Sequence, residues 1–143
     1  MKAHKLSPVK IPLAKLRPGK VPHAPGVYIL YKTNMGPPAY VGRDDYRLYD
    51  AIDNHRRAGK YKYFKFMRCT DPLDAYQWQC MFWHKGQATL DNSEAKGGRH
   101  PRPPHKHPDA ACPYPGCDYV FEIAVHEPEM EMAAVADGQE DGE

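Results

Sequence analysis

The chain has 143 residues and a net charge of +2, with 20 Lys and Arg against 18 Asp and Glu. This length predicts one domain with a modest core, and 15 prolines and 11 glycines predict that loops form much of it. No apolar run approaches the length that spans a bilayer, and the basic N-terminus lacks the apolar segment of a signal peptide. We therefore expect a soluble, cytoplasmic protein without a membrane partner.

Charge is distributed unevenly along the chain. Residues 1–106 carry all 20 basic residues and 8 acidic ones, a net charge of +12, whereas residues 107–143 carry 10 acidic residues and no Lys or Arg. A basic body with interleaved tyrosines favours a polyanionic partner such as nucleic acid, with an ordinary solvated surface as the alternative. Residues 1–24 form a basic leader that could pack across the core or be loose. Residues 126–143 are acidic and poor in large apolar groups, which predicts a disordered tail.

Two short strands are predicted after the leader. Residues 26–32 are rich in Val, Tyr and Ile, and residues 33–38 form a turn that contains Asn, Gly and two prolines. A second strand follows this turn and ends at Gly42. The resulting hairpin could bring Tyr28 and Tyr40 side by side.

Two helices are predicted further along the chain. Asp44 or Asp45 could cap the first helix, which should run to about Arg57 before a glycine ends it. The sequence Thr70-Asp71-Pro72 is typical of a helix start, and the second helix should run to about Lys85.

Aromatic and irregular segments surround the second helix. Tyr61 to Cys69 predicts a strand with Phe64 and Phe66 on one side. Residues 86–118 are crowded with Pro, Gly and His and should be irregular, and Tyr119 to Val125 could form a last strand.

The two tyrosine tripeptides, Gly26-Val27-Tyr28 and Tyr40-Val41-Gly42, resemble the signature motifs of the GIY-YIG nuclease family. The resemblance implies an α/β domain over residues 25–125, with a small, mostly antiparallel sheet packed with helices and an irregular His/Pro/Cys-rich segment. It also implies hydrolysis of phosphodiesters with one divalent metal, Mg²⁺ or Mn²⁺, with DNA as the expected partner. The family's two tyrosines lie in the active site and help to position or activate the attacking water.

Three further residues match the family in order along the chain. Arg43 matches a basic residue that contacts phosphate just after the second motif. His55 matches a His or Tyr position near the end of the first helix, and Asn92 resembles an asparagine that follows the family's glutamate helix.

Two positions depart from the family. Its helical arginine should fall near Asp50 or Ala51, and its metal-binding glutamate falls on Gln79. Residues 1–93 contain no glutamate, and a neutral Gln is a poor substitute where one carboxylate holds Mg²⁺. We expect Gln79 to face the Tyr28/Tyr40 pocket, with Arg43 at its rim and cleavage weakened or lost.

Two alternatives stay open at this point. One is an active endonuclease in which Arg47 and Asp74 replace the missing groups. The other is a module that binds proteins through its loops and acidic tail and has no enzymatic activity.

A metal site is also predicted in the irregular segment. Cys112 and Cys117, with two of His100, His105 and His107, could hold a structural zinc ion. The alternative is a proline-rich loop with two free thiols.

Overall fold

The computed structural model describes residues 1–121 of the chain. Four antiparallel strands and two helices lie within these residues. The strands pair in the order β1-β4-β2-β3, which confirms an α/β fold with a small antiparallel sheet. The strands are β1 (Ile11–Pro12), β2 (Gly26–Tyr31), β3 (Pro38–Asp44) and β4 (Tyr63–Arg68). The helices are α1 (Leu48–Ala58) and α2 (Pro72–Lys85).

Side chains alternate between the two faces of this sheet because successive residues of a strand point in opposite directions. Tyr28 lies opposite Gly42 on β3 and opposite Phe66 on β4, so these positions share a face. Tyr28 packs in one core with residues of α1, whereas Val27 packs in a second core with residues of α2. The sheet therefore separates an α1 face from an α2 face.

Strand β3 runs two residues beyond the predicted end at Gly42. Gly26 lies opposite Asp44, and Val27 lies opposite Arg43. Because Val27 belongs to the α2 face, the extra pairs turn Arg43 towards α2 and away from Tyr28. The predicted end of this strand was wrong, and the difference decides where Arg43 points.

The leader packs against the sheet. Strand β1 pairs with β4, and the Ser7 backbone N–H donates to the carbonyl of Phe66 at 3.0 Å. Leu13 and Val21 are buried in the α1-side core. The sequence left open whether the leader packs across the core or is loose, and in the structure it packs.

Helix α1 begins after a turn that Asp44 stabilises. The Asp44 carboxylate accepts from the backbone N–H groups of Tyr46 and Arg47, at 2.9 and 2.6 Å. The helix ends at Gly59, whose φ of 77° is in the left-handed region that glycine adopts without strain.

Helix α2 begins as predicted, with Asp71 accepting from the backbone N–H of Asp74 at 2.8 Å and Pro72 in the first turn.

Neither α1 nor α2, in the described part of the chain, has the length and apolarity needed to cross a membrane.

Residues 86–118 are irregular as predicted, apart from a 3-10 turn at Glu94–Lys96. The last predicted strand is not formed over residues 119–121. The remainder of that strand and the acidic tail, 126–143, lie outside the described residues.

The glycine of the second tripeptide leaves room for the tyrosine of the first. A Cβ atom at Gly42 would lie 2.2 Å from Tyr28 Cζ and 2.3 Å from its hydroxyl oxygen. The Tyr28 ring thus lies directly over Gly42, and any side chain there would push the ring out of the α1-side core.

Replacing Gly42 with Ala should lower the free energy of unfolding by about 1–3 kcal/mol, because overpacked cores lose stability on this scale. Urea unfolding followed by far-UV circular dichroism measures the change. Gly19→Ala is the matched control, since a Cβ there meets nothing within 4 Å. If both variants were as stable as the unmodified protein, the close contact between Gly42 and Tyr28 would be wrong.

Candidate functional site

Four aromatic rings meet between the sheet and α1, and we call Tyr28, Tyr40, His55 and Tyr61 the tyrosine cluster. The rings of Tyr28 and Tyr40 stack with centroids 6.3 Å apart, and the His55 ring lies 4.9 Å from that of Tyr40. Tyr61 completes the group, with its ring 5.9 Å from Tyr40 and 6.0 Å from His55. The prediction that the hairpin brings Tyr28 and Tyr40 to one side is confirmed.

A hydrogen bond joins Tyr28 and His55 within the cluster. The Tyr28 hydroxyl lies 3.1 Å from Nε2 of His55, and Tyr28 is only 1% exposed. Burial lowers the pKa of His55 below its ordinary value, so its imidazole is neutral near pH 7. A neutral imidazole can accept a hydrogen bond from the Tyr28 hydroxyl.

Asp91 adds a carboxylate and three lysines to the edge of the cluster. The Tyr61 hydroxyl donates to Asp91 Oδ2 at 2.8 Å. Burial of Asp91 opposes its ionisation, but the hydrogen bonds from Tyr61 and Lys32 and the neighbouring lysine charges outweigh it and hold its pKa below the ordinary value.

The three ammonium groups around Asp91 are mostly in solvent. Lys32, Lys96 and Lys60 lie 3.2, 3.5 and 3.8 Å from the carboxylate, and more than half of each side chain is exposed. Three cations around one anion leave an excess of positive charge beside the tyrosine cluster. Sequence reasoning missed Asp91, although it directly precedes Asn92, because nothing local shows that residue 91 meets Tyr61.

Arg43 and Gln79 lie on the other face of the sheet. Arg43 Nη1 donates to Gln79 Oε1 at 2.8 Å and to the carbonyl of Arg102 at 2.7 Å, while its Nε donates to Asp45 at 2.6 Å. Both side chains are buried, with Arg43 8% and Gln79 4% exposed. The predictions that Gln79 faces the tyrosine pocket and that Arg43 lines its rim were wrong. Arg43 alternates with Gly42 onto the α2 face of the sheet, and Gln79 belongs to α2 itself.

The two candidate replacement groups are engaged elsewhere. Arg47 is exposed and pairs with Asp50 through a short hydrogen bond, one turn along α1. Asp74 is 3% exposed at the start of α2, where its Oδ2 accepts from Thr70 N–H at 2.8 Å and lies 2.5 Å from His4 Nε2. Neither side chain joins the tyrosine cluster.

Asn92 has a structural position at the outer edge of β3. The side-chain Nδ2 of Asn92 donates to the carbonyl of Val41 at 2.8 Å. The backbone carbonyl of Asn92 accepts from the indole N–H of Trp83, also at 2.8 Å. Asp91 N–H also donates to the carbonyl of Ala39, so the segment covers part of this exposed strand edge.

Histidine and cysteine side chains converge at the far end of α2. The ligand atoms of His84, His100, Cys112 and Cys117 all lie within 4.8 Å of one another. His105 and His107 are exposed and lie outside this group, so their prediction as ligands was wrong. Sequence reasoning missed His84, because this residue belongs to the preceding helix and only the tertiary fold brings it to the cysteines.

A second group, His4, Cys69 and Asp74, has ligand atoms equally close together. This group offers three ligands, and Asp74 Oδ2 is already engaged by Thr70 N–H and by His4.

Comparison of the chain with models of protein families, with curated proteins and with solved structures finds no match in any of the three. The similarity to GIY-YIG nucleases therefore depends on the motif residues named above and on their arrangement.

The half-buried, neutral His55 should make stability fall in mild acid. The unfolded chain protonates His55 near pH 6.5 and the native state only at lower pH, so the free energy of unfolding should fall from about pH 7 to about pH 5. Unfolding in urea at several pH values measures this slope. His55→Gln should make this slope shallower, while His84 and His100, whose pKa values burial also lowers, keep part of it. Equal slopes for His55→Gln and the unmodified protein would contradict the assignment.

Proposed function

We propose that this chain is a nucleic-acid-binding protein, with DNA as its partner, built on a GIY-YIG nuclease-type domain whose metal-dependent cleavage is weakened or lost. The observation that carries the proposal is the stacking of Tyr28 and Tyr40 on one sheet face, beside three exposed lysines. Tyr28 and Tyr61 are buried. A base can therefore contact the half-buried rings of Tyr40 and His55, while phosphates bind the lysines.

Binding would use the lysines around Asp91. Each ammonium group is on a long, mostly exposed side chain and can turn from Asp91 to a phosphate while the carboxylate keeps its hydrogen bond from Tyr61. Asp91 thereby keeps the lysine side chains close to the tyrosine cluster before the partner arrives.

Cleavage would need a metal ion close to the tyrosines, because phosphoryl transfer depends on positioning and on neutralising the developing charge. The family's glutamate position is occupied by Gln79, whose amide oxygen binds Arg43 across the sheet from the tyrosines. Asp91 is the carboxylate next to the cluster, and the lysine charges around it repel a divalent cation. Both observations favour a site that binds phosphates without cutting them.

The positions of Arg47 and Asp74 do not support the alternative of an active endonuclease that uses them. Arg47 pairs with Asp50, and Asp74 is buried at the start of α2 with His4. The alternative of a protein-interaction module is separated from our proposal by the salt dependence of DNA binding, as described next.

Replacing Lys32, Lys60 and Lys96 together with Ala should weaken DNA binding by at least about tenfold at low salt. The slope of log K against log salt should become shallower by about 3, because each lost phosphate contact accounts for about one counterion. Fluorescence anisotropy with a labelled duplex and a labelled single strand measures both quantities.

A matched control removes the same charge from three exposed lysines that form no ion pair with Asp91 in the described residues. Lys5, Lys85 and Lys106 are exposed and belong to the leader, the end of α2 and the irregular segment. The triple Ala variant at these positions should bind DNA with a salt slope close to that of the unmodified protein. Equal losses in the two triple variants would indicate non-specific attraction by net charge, and no DNA binding by the unmodified protein would favour the interaction module.

Cleavage of supercoiled and branched DNA should be very slow with Mg²⁺ or Mn²⁺, because Asp91, the carboxylate that bonds Tyr61 of the tyrosine cluster, is surrounded by three lysine charges. The comparison that matters is with the double variant Tyr28→Phe/Tyr40→Phe, prepared in the same way. We expect equal cleavage rates for the two proteins, which identifies any remaining activity as contamination. A rate in the unmodified protein at least about a hundredfold above that of the double variant would instead identify an active endonuclease.

A further inference from the structure

We propose that His84, His100, Cys112 and Cys117 bind one zinc ion, which fastens the irregular segment of residues 98–118 to the end of α2. This proposal is independent of nucleic-acid binding. Two thiolates and two imidazoles are a ligand set that structural zinc sites use, and zinc is bound by four such ligands in a tetrahedron.

The four ligand atoms already have nearly the separation that zinc requires. Zinc–sulfur and zinc–nitrogen bonds of about 2.3 and 2.0 Å place tetrahedral ligands about 3.3–3.8 Å apart. All four atoms lie within 4.8 Å of one another, and Cys117 Sγ lies 3.5 Å from His100 Nε2. Small rotations of the side chains are enough to close the tetrahedron.

Both imidazoles have a nitrogen in place for a metal. His100 Nδ1 lies 2.8 Å from the carbonyl of Pro101, so it donates its proton there and leaves the Nε2 lone pair directed at Cys117. A backbone carbonyl that fixes the tautomer in this way is a common second partner of zinc-bound histidine. In the described part of the chain, the buried Nε2 of His84 has no hydrogen-bond partner, a cost that a bound metal would remove.

The turn between the cysteines explains how Cys-x4-Cys can reach one ion. Cys117 N–H donates to the carbonyl of Tyr114 at 3.1 Å, Pro115 follows Tyr114, and Gly116 has a φ of 86°. Pro at the second position and a left-handed Gly at the third are typical of a type II turn. This turn reverses the chain and returns Cys117 to Cys112.

Aromatic contacts hold the two imidazole rings in place. The His84 ring stacks on Tyr114 with centroids 4.3 Å apart, and the His100 ring stacks on Tyr119 at 3.9 Å. Trp83 packs its ring edge against His100 at 5.3 Å. A metal site needs such support because its ligands must keep their direction when the ion binds.

The segment needs this support because it has little regular structure of its own. Residues 98–118 form no helix or strand, yet the carbonyl of Arg102 accepts from buried Arg43. A zinc ion that binds α2 through His84 and the segment through the other three ligands would hold this carbonyl in position. Removing the ion should loosen residues 98–118 first and the sheet later.

The test begins with the full chain purified without chelator. We expect about one zinc ion per chain by elemental analysis. Replacing the zinc with Co²⁺ should give the intense visible absorption of a tetrahedral site and the near-ultraviolet band of cobalt–thiolate bonds. Stripping the ion with a chelator should lower the unfolding temperature, and adding zinc back should restore it.

Variants then separate the ligands from their neighbours. His84→Ala and Cys117→Ser should each lose the zinc, whereas His105→Ala and His107→Ala, at exposed positions in the same segment, should keep it. Cys80→Ser should also keep it, since Cys80 is not among the four residues whose ligand atoms converge.

Several results would overturn the proposal. The first is a purified chain that holds no zinc and gives no tetrahedral Co²⁺ spectrum. The second is a disulfide between Cys112 and Cys117, found by mass spectrometry. The third is loss of zinc in His105→Ala together with its retention in His84→Ala. The first two measurements use the unmodified protein, so they decide the matter even if a ligand variant fails to fold.

Discussion

The contact between Tyr28 and Gly42 across the β2–β3 pair is the constraint on which the tyrosine cluster depends. The Tyr28 ring occupies the space where a side chain at residue 42 would be, and its hydroxyl reaches His55 on α1. Tyr40 shares this face because it lies two residues before Gly42 on the same strand. A glycine at the end of the second tripeptide thus serves packing, and packing places the tyrosines together.

The same alternation creates a second polar site on the α2 face. Arg43 is a buried cation, and its partners there are Asp45, the Gln79 amide and the Arg102 carbonyl. Burying a guanidinium is costly unless its donors are satisfied, so these contacts are needed for the fold. Arg43 therefore ties β3, α2 and the irregular segment together, while the exposed lysines on the other face remain available to a partner.

The irregular segment is stabilised by side chains in place of secondary structure. The Asn92 side chain donates a hydrogen bond to the edge of β3, and the backbone carbonyl of Arg102 accepts one from Arg43. The four histidine and cysteine side chains meet at the end of α2. Few backbone hydrogen bonds hold residues 98–121, so a metal ion would contribute much of the local stability. This segment and the tyrosine cluster lie on different sides of the molecule, so loss of the metal and loss of nucleic-acid binding can be measured separately.

Local sequence determined most of the elements. Alternating Val, Tyr and Ile predicted β2, Thr70-Asp71-Pro72 predicted the start of α2, and the spacing of Tyr28 and Tyr40 predicted their shared face. These features depend on residues close together in the chain, where periodicity and capping act directly. The proximity of the Cys112 and Cys117 side chains was also predictable, because only four residues separate them and a short turn joins them.

Only the tertiary structure decided which side chains meet across elements. The extra pairs at the end of β3 place Arg43 on the face that α2 covers, since successive strand residues point to opposite faces, and Gln79 of α2 meets it there. Packing of the irregular segment on α2 brought His84 to the cysteines in place of His105, and coverage of the β3 edge brought Asp91 to Tyr61. Such contacts join residues far apart in the chain, and no local pattern encodes them.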